Sequence, residues 1–165
     1  MCNIYISGIK HDSIVDGDGL RNVIFVSGCW WSCKDCHNPT THKTANGTLM
    51  TIDDVVRDVL SDSNDITLSG GDPLTYQIIA TTNLLKALRQ ARPTVNIWCY
   101  TGYTWEELIK LPEAREALNY IDVLVDGRYE ADKRDLDLLF RGSSNQRIID
   151  VKESIMQNRI VNKGE

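Results

Sequence analysis

Val23-Ile24-Phe25-Val26-Ser27-Gly28-Cys29-Trp30-Trp31-Ser32-Cys33-Lys34-Asp35-Cys36 is a short apolar run that empties into three cysteines spaced C-x3-C-x2-C. Residues 22–28 are short and β-branched and predict a fully buried strand. Three thiolates on the loop that follows can hold three corners of a [4Fe–4S] cluster and leave the fourth iron without a protein ligand. Four-cysteine clusters serve as electron carriers, so triple ligation suits a cluster that binds its substrate. A Cys3His zinc site is the competing reading, with His37 next to Cys36. Adjacent residues fit one tetrahedral ion poorly, and Cys2 or Cys99 would otherwise have to complete it.

Outward from this loop the chain alternates strand and helix. Residues 51–60 predict a helix with Thr51 as its cap and Ile52, Val55, Val56, Val59 and Leu60 at helical spacing. Residues 65–69 predict a strand that ends in Gly70-Gly71-Asp72-Pro73. A helix over 75–91, with Pro73 at its start, and a strand over 95–100 follow. Thr104-Trp105-Glu106-Glu107 is a capping-box pattern that opens another helix. Residues 113–118 predict a short helix and 121–125 a strand ending in Asp126-Gly127. Beyond Tyr129 the pattern weakens: 136–140 and 146–151 are candidate strands, and the tail past Lys152 a loose helix.

Helical connections between strands imply a parallel sheet, in which ligands bind at the carboxyl ends of the strands. The cysteine loop, Gly70-Gly71-Asp72, Tyr100-Thr101-Gly102-Tyr103 and Asp126-Gly127-Arg128 all follow strands and converge on one site. Four regular units are too few for a closed eight-fold barrel. The expected fold is α/β, an open partial (β/α) barrel with a mostly parallel sheet, over residues 1–151. Residues 152–165 form a tail whose order the sequence leaves open.

At 165 residues the chain is long enough for one domain with a sizeable core. A net charge of −5 argues against nucleic acid or an anionic membrane as the main partner. No run approaches the ~20 apolar residues of a membrane span. Met1-Cys2-Asn3-Ile4-Tyr5 lacks a signal-peptide pattern, so a cytoplasmic protein is expected. Five cysteines, three of them clustered, fit metal binding in a reducing compartment better than disulfides. Cys2 and Cys99 stand alone, and a lone cysteine on a strand is usually a small buried hydrophobe.

Several motifs carry two readings. Gly70-Gly71 allows a ligand to approach the backbone, with Asp72 as an anionic partner for an amine, or simply makes a tight turn. Trp30 and Trp31 either shield the cluster, present a surface to a partner, or pack in the core. Asp16-Gly17-Asp18-Gly19-Leu20-Arg21 is a glycine turn in which composition does not settle the role of Arg21. Arg141 to Arg147 is either a contact segment or an exposed turn.

The C-x3-C-x2-C loop resembles the signature of the radical S-adenosylmethionine (SAM) enzymes. The likeness within that superfamily is to the activating proteins of anaerobic (class III) ribonucleoside-triphosphate reductases. It runs through Asp16–Arg21, Ser27–Pro39, Leu68–Leu74, Ile97–Tyr103, Val125–Tyr129 and Phe140–Arg147; the Trp98-x-Tyr100-Thr101-Gly102-Tyr103 and Arg141-Gly142-Ser143-Ser144-Asn145-Gln146 stretches point to this family. The resemblance implies a [4Fe–4S] cluster on Cys29, Cys33 and Cys36 with SAM on its open iron. It further implies cofactor contacts from Asp35, Cys36, His37, Gly70, Gly71 and Asp72, and from Asp126 and Arg128 toward the ribose or carboxylate. Reduced flavodoxin or a similar donor would supply an electron, and the product would be a glycyl radical on the reductase. Asp35 departs from the pattern, because many such loops place an aromatic residue before the third cysteine. Other activases, small-molecule radical SAM enzymes and a zinc-stabilised interaction module are the alternatives.

Overall fold

The computed structural model describes residues 2–164. Its centre is a seven-stranded sheet of order β3-β1-β2-β4-β5-β6-β7. The strands are β1 (Asn3–Ser13), β2 (Arg21–Val26), β3 (Thr48–Thr51), β4 (Asp65–Gly70), β5 (Ile97–Tyr100), β6 (Val123–Asp126) and β7 (Arg147–Asp150). The helices are α1 (Ile52–Val59), α2 (Ile78–Ala91), α3 (Trp105–Leu108), α4 (Pro112–Leu118) and α5 (Val151–Gln157). β2, β4, β5 and β6 pair in parallel, as helical crossovers require. The three remaining pairings, β1 with β2, β1 with β3 and β6 with β7, are antiparallel. The sheet is therefore parallel in the middle and antiparallel at both flanks, which corrects the expectation of a mostly parallel sheet.

Strand alternation divides the core. Ile24 and Val26 of β2, Ile66 and Leu68 of β4, Ile97 and Cys99 of β5 and Leu124 of β6 pack on one face against Val55, Val59, Leu84, Leu85 and Leu88 of the helices. Trp98, Val123 and Val125 occupy the other face, where Tyr100, Phe140 and Ile148 pack against them. Cys99 is thus a fully buried helix-side residue.

Local chemistry places the helix ends. Thr51 caps α1 by accepting from the Asp54 amide, and Thr104 with Glu107 forms the capping box of α3. α2 begins three residues later than the pattern predicts. Residues 72–77 form turns instead, and the Gln77 side chain holds Tyr5 N, Tyr5 O and Ser27 O at 2.8–2.9 Å. Residues 136–140 form no strand; Leu136 and Leu139 lie exposed in a loop held by the Arg134–Ser143 bridge and by Phe140, whose carbonyl accepts from the Tyr100 hydroxyl at 2.6 Å. After α5 the chain turns at Asn158, whose φ is +52°, and returns along β7, with the Asp150 amide donating to Val161 O and Lys163 to Ile148 O.

Arg21 belongs to the scaffold. Its fully buried guanidinium donates to Thr67 Oγ1, Asp18 O, Ile66 O and both oxygens of Asn96, beneath the Trp98 ring. Those contacts tie the turn before β2 to β4 and β5, and burial lowers the Arg21 pKa.

Candidate functional site

Parallel register brings the carboxyl ends of β2, β4, β5 and β6 side by side: Val26 pairs with Gly70, Leu68 with Cys99 and Tyr100 with Val125. The loops leaving those strands surround a cavity of about 410 Å3. Cys29, Cys33 and Cys36 form part of its wall, with Gly70, Gly71 and Asp72 beside them. His37 and Arg128 also line it, and the loop carrying Leu136, Leu138 and Phe140 closes the far side. Asp35 and Asp126 do not line it.

The cysteine loop is fixed by main-chain bonds. Gly28 and Cys29 donate to Thr41 O and His42 O at 2.7 and 2.9 Å, and Gly28 O accepts from the Asp72 amide at 2.8 Å. Gly71 is required for this approach, because a Cβ there would lie 2.5 Å from Gly28 O and 2.7 Å from Thr41 O. Ser32 and Asp35 take left-handed backbone at φ +50° and +57°. Aspartate tolerates that region better than an aromatic side chain does, which gives a backbone reason for Asp35 at its position. The side chain is exposed.

The three thiols are half-buried. Burial, with Asp72 and the other two sulfurs nearby, pushes Cys29 up to about 11, and burial also raises Cys33. Without a cation to hold, Cys29 and Cys33 keep their protons. Cys29, Cys33 and Cys36 share one cavity wall, and in a four-iron cluster each thiolate takes its own iron, so the three sulfurs fit that group. Cys99 lies in the helix-side core and Cys2 is exposed beside α2, so neither joins them.

Asp72 is the best-connected side chain of the site. Its buried carboxylate accepts from Trp31 Nε1 at 2.6 Å, Gly102 N at 2.7 Å, Thr101 Oγ1 at 3.0 Å and Leu74 N at 2.9 Å. Burial nonetheless holds its pKa above the ordinary carboxylate value. The carboxylate clamps the cysteine loop to the ends of β4 and β5. Gly102 makes room, since a Cβ there would sit 2.4 Å from the Trp31 ring.

Arg128 stacks over Trp31 at 3.9 Å and pairs with Glu107 at 3.2 Å. His37 packs against Tyr129, ring centroids 4.9 Å apart. Asp126 is buried and engaged elsewhere: it accepts from the Trp105 amide at 2.8 Å and from two nitrogens of Arg147 at 2.5–3.0 Å. Arg147 also grips Glu106 through both oxygens and lowers that carboxyl to about 2. Sequence reasoning missed this Asp126–Arg147–Glu106 network and the Asp72–Trp31 bond, whose partners lie 21 to 41 residues apart. No local pattern signals such pairs. The two tryptophans divide, with Trp31 in the cavity wall and Trp30 43% exposed outside it.

A family model described as a 4Fe-4S single cluster domain matches residues 15–149. Curated relatives named anaerobic ribonucleoside-triphosphate reductase-activating protein are similar over most of the chain. The Pasteurella multocida protein is 38% identical over 141 residues, which cover 81% of this chain and 89% of the relative. That of enterobacteria phage T4 is 40% identical over 139 residues, covering 81% and 86%. That of Escherichia coli K12 is 38% identical over 140 residues, covering 81% and 90%.

Proposed function

The chain belongs to the family of anaerobic ribonucleoside-triphosphate reductase-activating proteins, and on that premise we propose that it installs a glycyl radical on such a reductase as a radical SAM enzyme. When bound, a [4Fe–4S] cluster and SAM would supply one-electron reduction of the sulfonium and hydrogen-atom abstraction at a glycine Cα. Cys29, Cys33 and Cys36 hold the cluster. Gly70 and Gly71 offer main-chain groups to the amino group of SAM. Asp72 acts beside them by fixing Trp31 and Gly102, because its oxygens already meet four protein donors.

Arg128, on the cavity wall over Trp31, is the cation placed for the SAM carboxylate or ribose. His37 and the main chain around Cys36 border the adenine, with Asp35 shaping the turn. Asp126 serves indirectly by anchoring the strand end that carries Arg128. Packing of Trp98, Val125 and Phe140 on the sheet face away from the main helices supports reading the fold as an open partial (β/α) barrel that receives a protein loop. Reduced flavodoxin or a similar protein supplies the electron, in the reducing cytoplasm. Among the described residues no helix is long and apolar enough to cross a membrane.

The observation that supports this reading most is the single cavity shared by the three cysteines, Gly70-Gly71 and Arg128. Its test is anaerobic reconstitution, iron and sulfide analysis, and electron paramagnetic resonance with SAM, dithionite and an anaerobic reductase. A glycyl radical signal on the reductase is expected, lost in Cys29→Ala, Cys33→Ala and Cys36→Ala. Zinc without iron, or 5′-deoxyadenosine without a glycyl radical, would refute it.

A further inference from the structure

We propose that the exposed face formed by Trp30, Tyr76 and Ile79, with Lys43 alongside, is the docking site of an acidic one-electron donor protein of the flavodoxin class. The inference rests on the cluster-dependent activation above and assigns its electron input to a surface distinct from the cavity. Trp30 is 43% exposed, and Tyr76 and Ile79 are each 61% exposed. None of the three lines the cavity. Trp30 comes from the cysteine loop, Tyr76 from the turn before α2 and Ile79 from the first turn of α2, and the Tyr76 and Trp30 rings meet edge to face at 5.2 Å. A groove of about 350 Å3 between the start of β1 and α2, lined by Asn3, Tyr76, Ile79 and Asn83, continues the face. Large exposed aromatics beside a groove mark protein contact sites.

Two further observations select the partner. First, the face leads to the cluster ligands. Trp30 follows Cys29 directly and contacts Trp31 at 6.0 Å, and Trp31 is cavity wall. Two ring contacts thus span from the Tyr76 surface to the cysteine site. Second, the charge is locally reversed. Residues 29–31, 42–44 and 73–85, which form or border the face, carry Lys43 and no carboxylate, and the rest of the chain is left with −6. The His42–Thr44 stretch borders the same face: His42 O accepts from Cys29 N, and Thr44 Oγ1 and the Tyr76 ring both crowd Gly28. A net-positive face on an acidic protein steers an acidic partner. One electron leaves the donor, which is oxidised by one, and the cluster is reduced by one. No bond forms or breaks, and no proton is needed.

The test records cluster reduction by anaerobic stopped-flow absorbance on the reconstituted full chain without SAM, using reduced flavodoxin in one arm and dithionite in the other. Ile79→Glu and Lys43→Glu are the variants, since both positions are exposed and outside the cavity. Expected are a slowing of about tenfold or more with flavodoxin, an unchanged rate with dithionite, and a wild-type flavodoxin rate that falls as salt rises. Wild-type rates with flavodoxin in both variants would overturn the proposal. So would equal slowing with dithionite, a changed oligomeric mass, or a loss of dithionite-driven glycyl radical, which would assign the face to the site itself, a second copy or the reductase. Failure of the wild type to cleave SAM with dithionite would instead refute the activation reading, because the reduction rates are measured without SAM.

Discussion

Asp72→Ala removes the acceptor from four donors at once: the Trp31 indole, the Thr101 hydroxyl and the amides of Gly102 and Leu74. Each orphaned buried donor costs about 1–3 kcal/mol. Against that loss, the variant no longer buries a carboxylate, a relief of several kcal/mol. The expected net destabilisation is about 3–5 kcal/mol, or a fall in Tm of about 8–16 °C for a chain of this size. Asp72→Asn should cost less. Three donors converge on Oδ2 and one on Oδ1, so the amide can turn its oxygen to the three and its nitrogen to Leu74 N. One donor–donor conflict and the weaker neutral acceptor then leave a loss of about 1–2 kcal/mol. Anaerobic urea unfolding followed by far-ultraviolet circular dichroism measures both. Asp72→Ala within about 1 kcal/mol of wild type, or Asp72→Asn as damaging as Asp72→Ala, would refute the clamp.

Other outcomes follow from the same structure. Glu106, held at about 2 against an unfolded value of 4.5, contributes stability that is present above pH 4.5 and lost as pH falls through 2. Unfolding titrations across that window should show a shallower acid dependence for Glu106→Gln, with the difference reduced by salt because the pair is partly exposed. Gly71→Ala drives a Cβ into Gly28 O and Thr41 O; a loss of about 2 kcal/mol and reduced iron retention after reconstitution are expected, and full iron content would contradict the required approach. Cys99→Ala should keep its iron and cost about 1 kcal/mol, as thermal unfolding and iron analysis would show.

Where local pattern and burial agree, the sequence is readable. The strand into Cys29, the capped helix after Thr51 and the Thr104 box form as their spacing dictates. β1 went unread because much of it is exposed: Gly8, Lys10, His11 and Asp12 interrupt the alternation that Ile4 and Ile6 begin, and register shifts break it further. β3 is four residues long and ends in the helix cap. Leu136 to Phe140 has a strand's composition, but Phe140, at φ +61°, turns onto the Trp98 face instead of joining a ladder.

The sequence by itself determined the chemistry on offer: three clustered thiols, paired glycines and acids at successive strand ends. Only the tertiary structure decided which acids serve the cavity. Asp72 and Asp126 look equivalent along the chain, yet one clamps the cysteine loop at the cavity wall and the other anchors Arg147 and α3 away from it. A charged side chain takes its role from the donors that satisfy it once it is buried. Those donors come from distant segments, brought together by strand register that no single segment encodes.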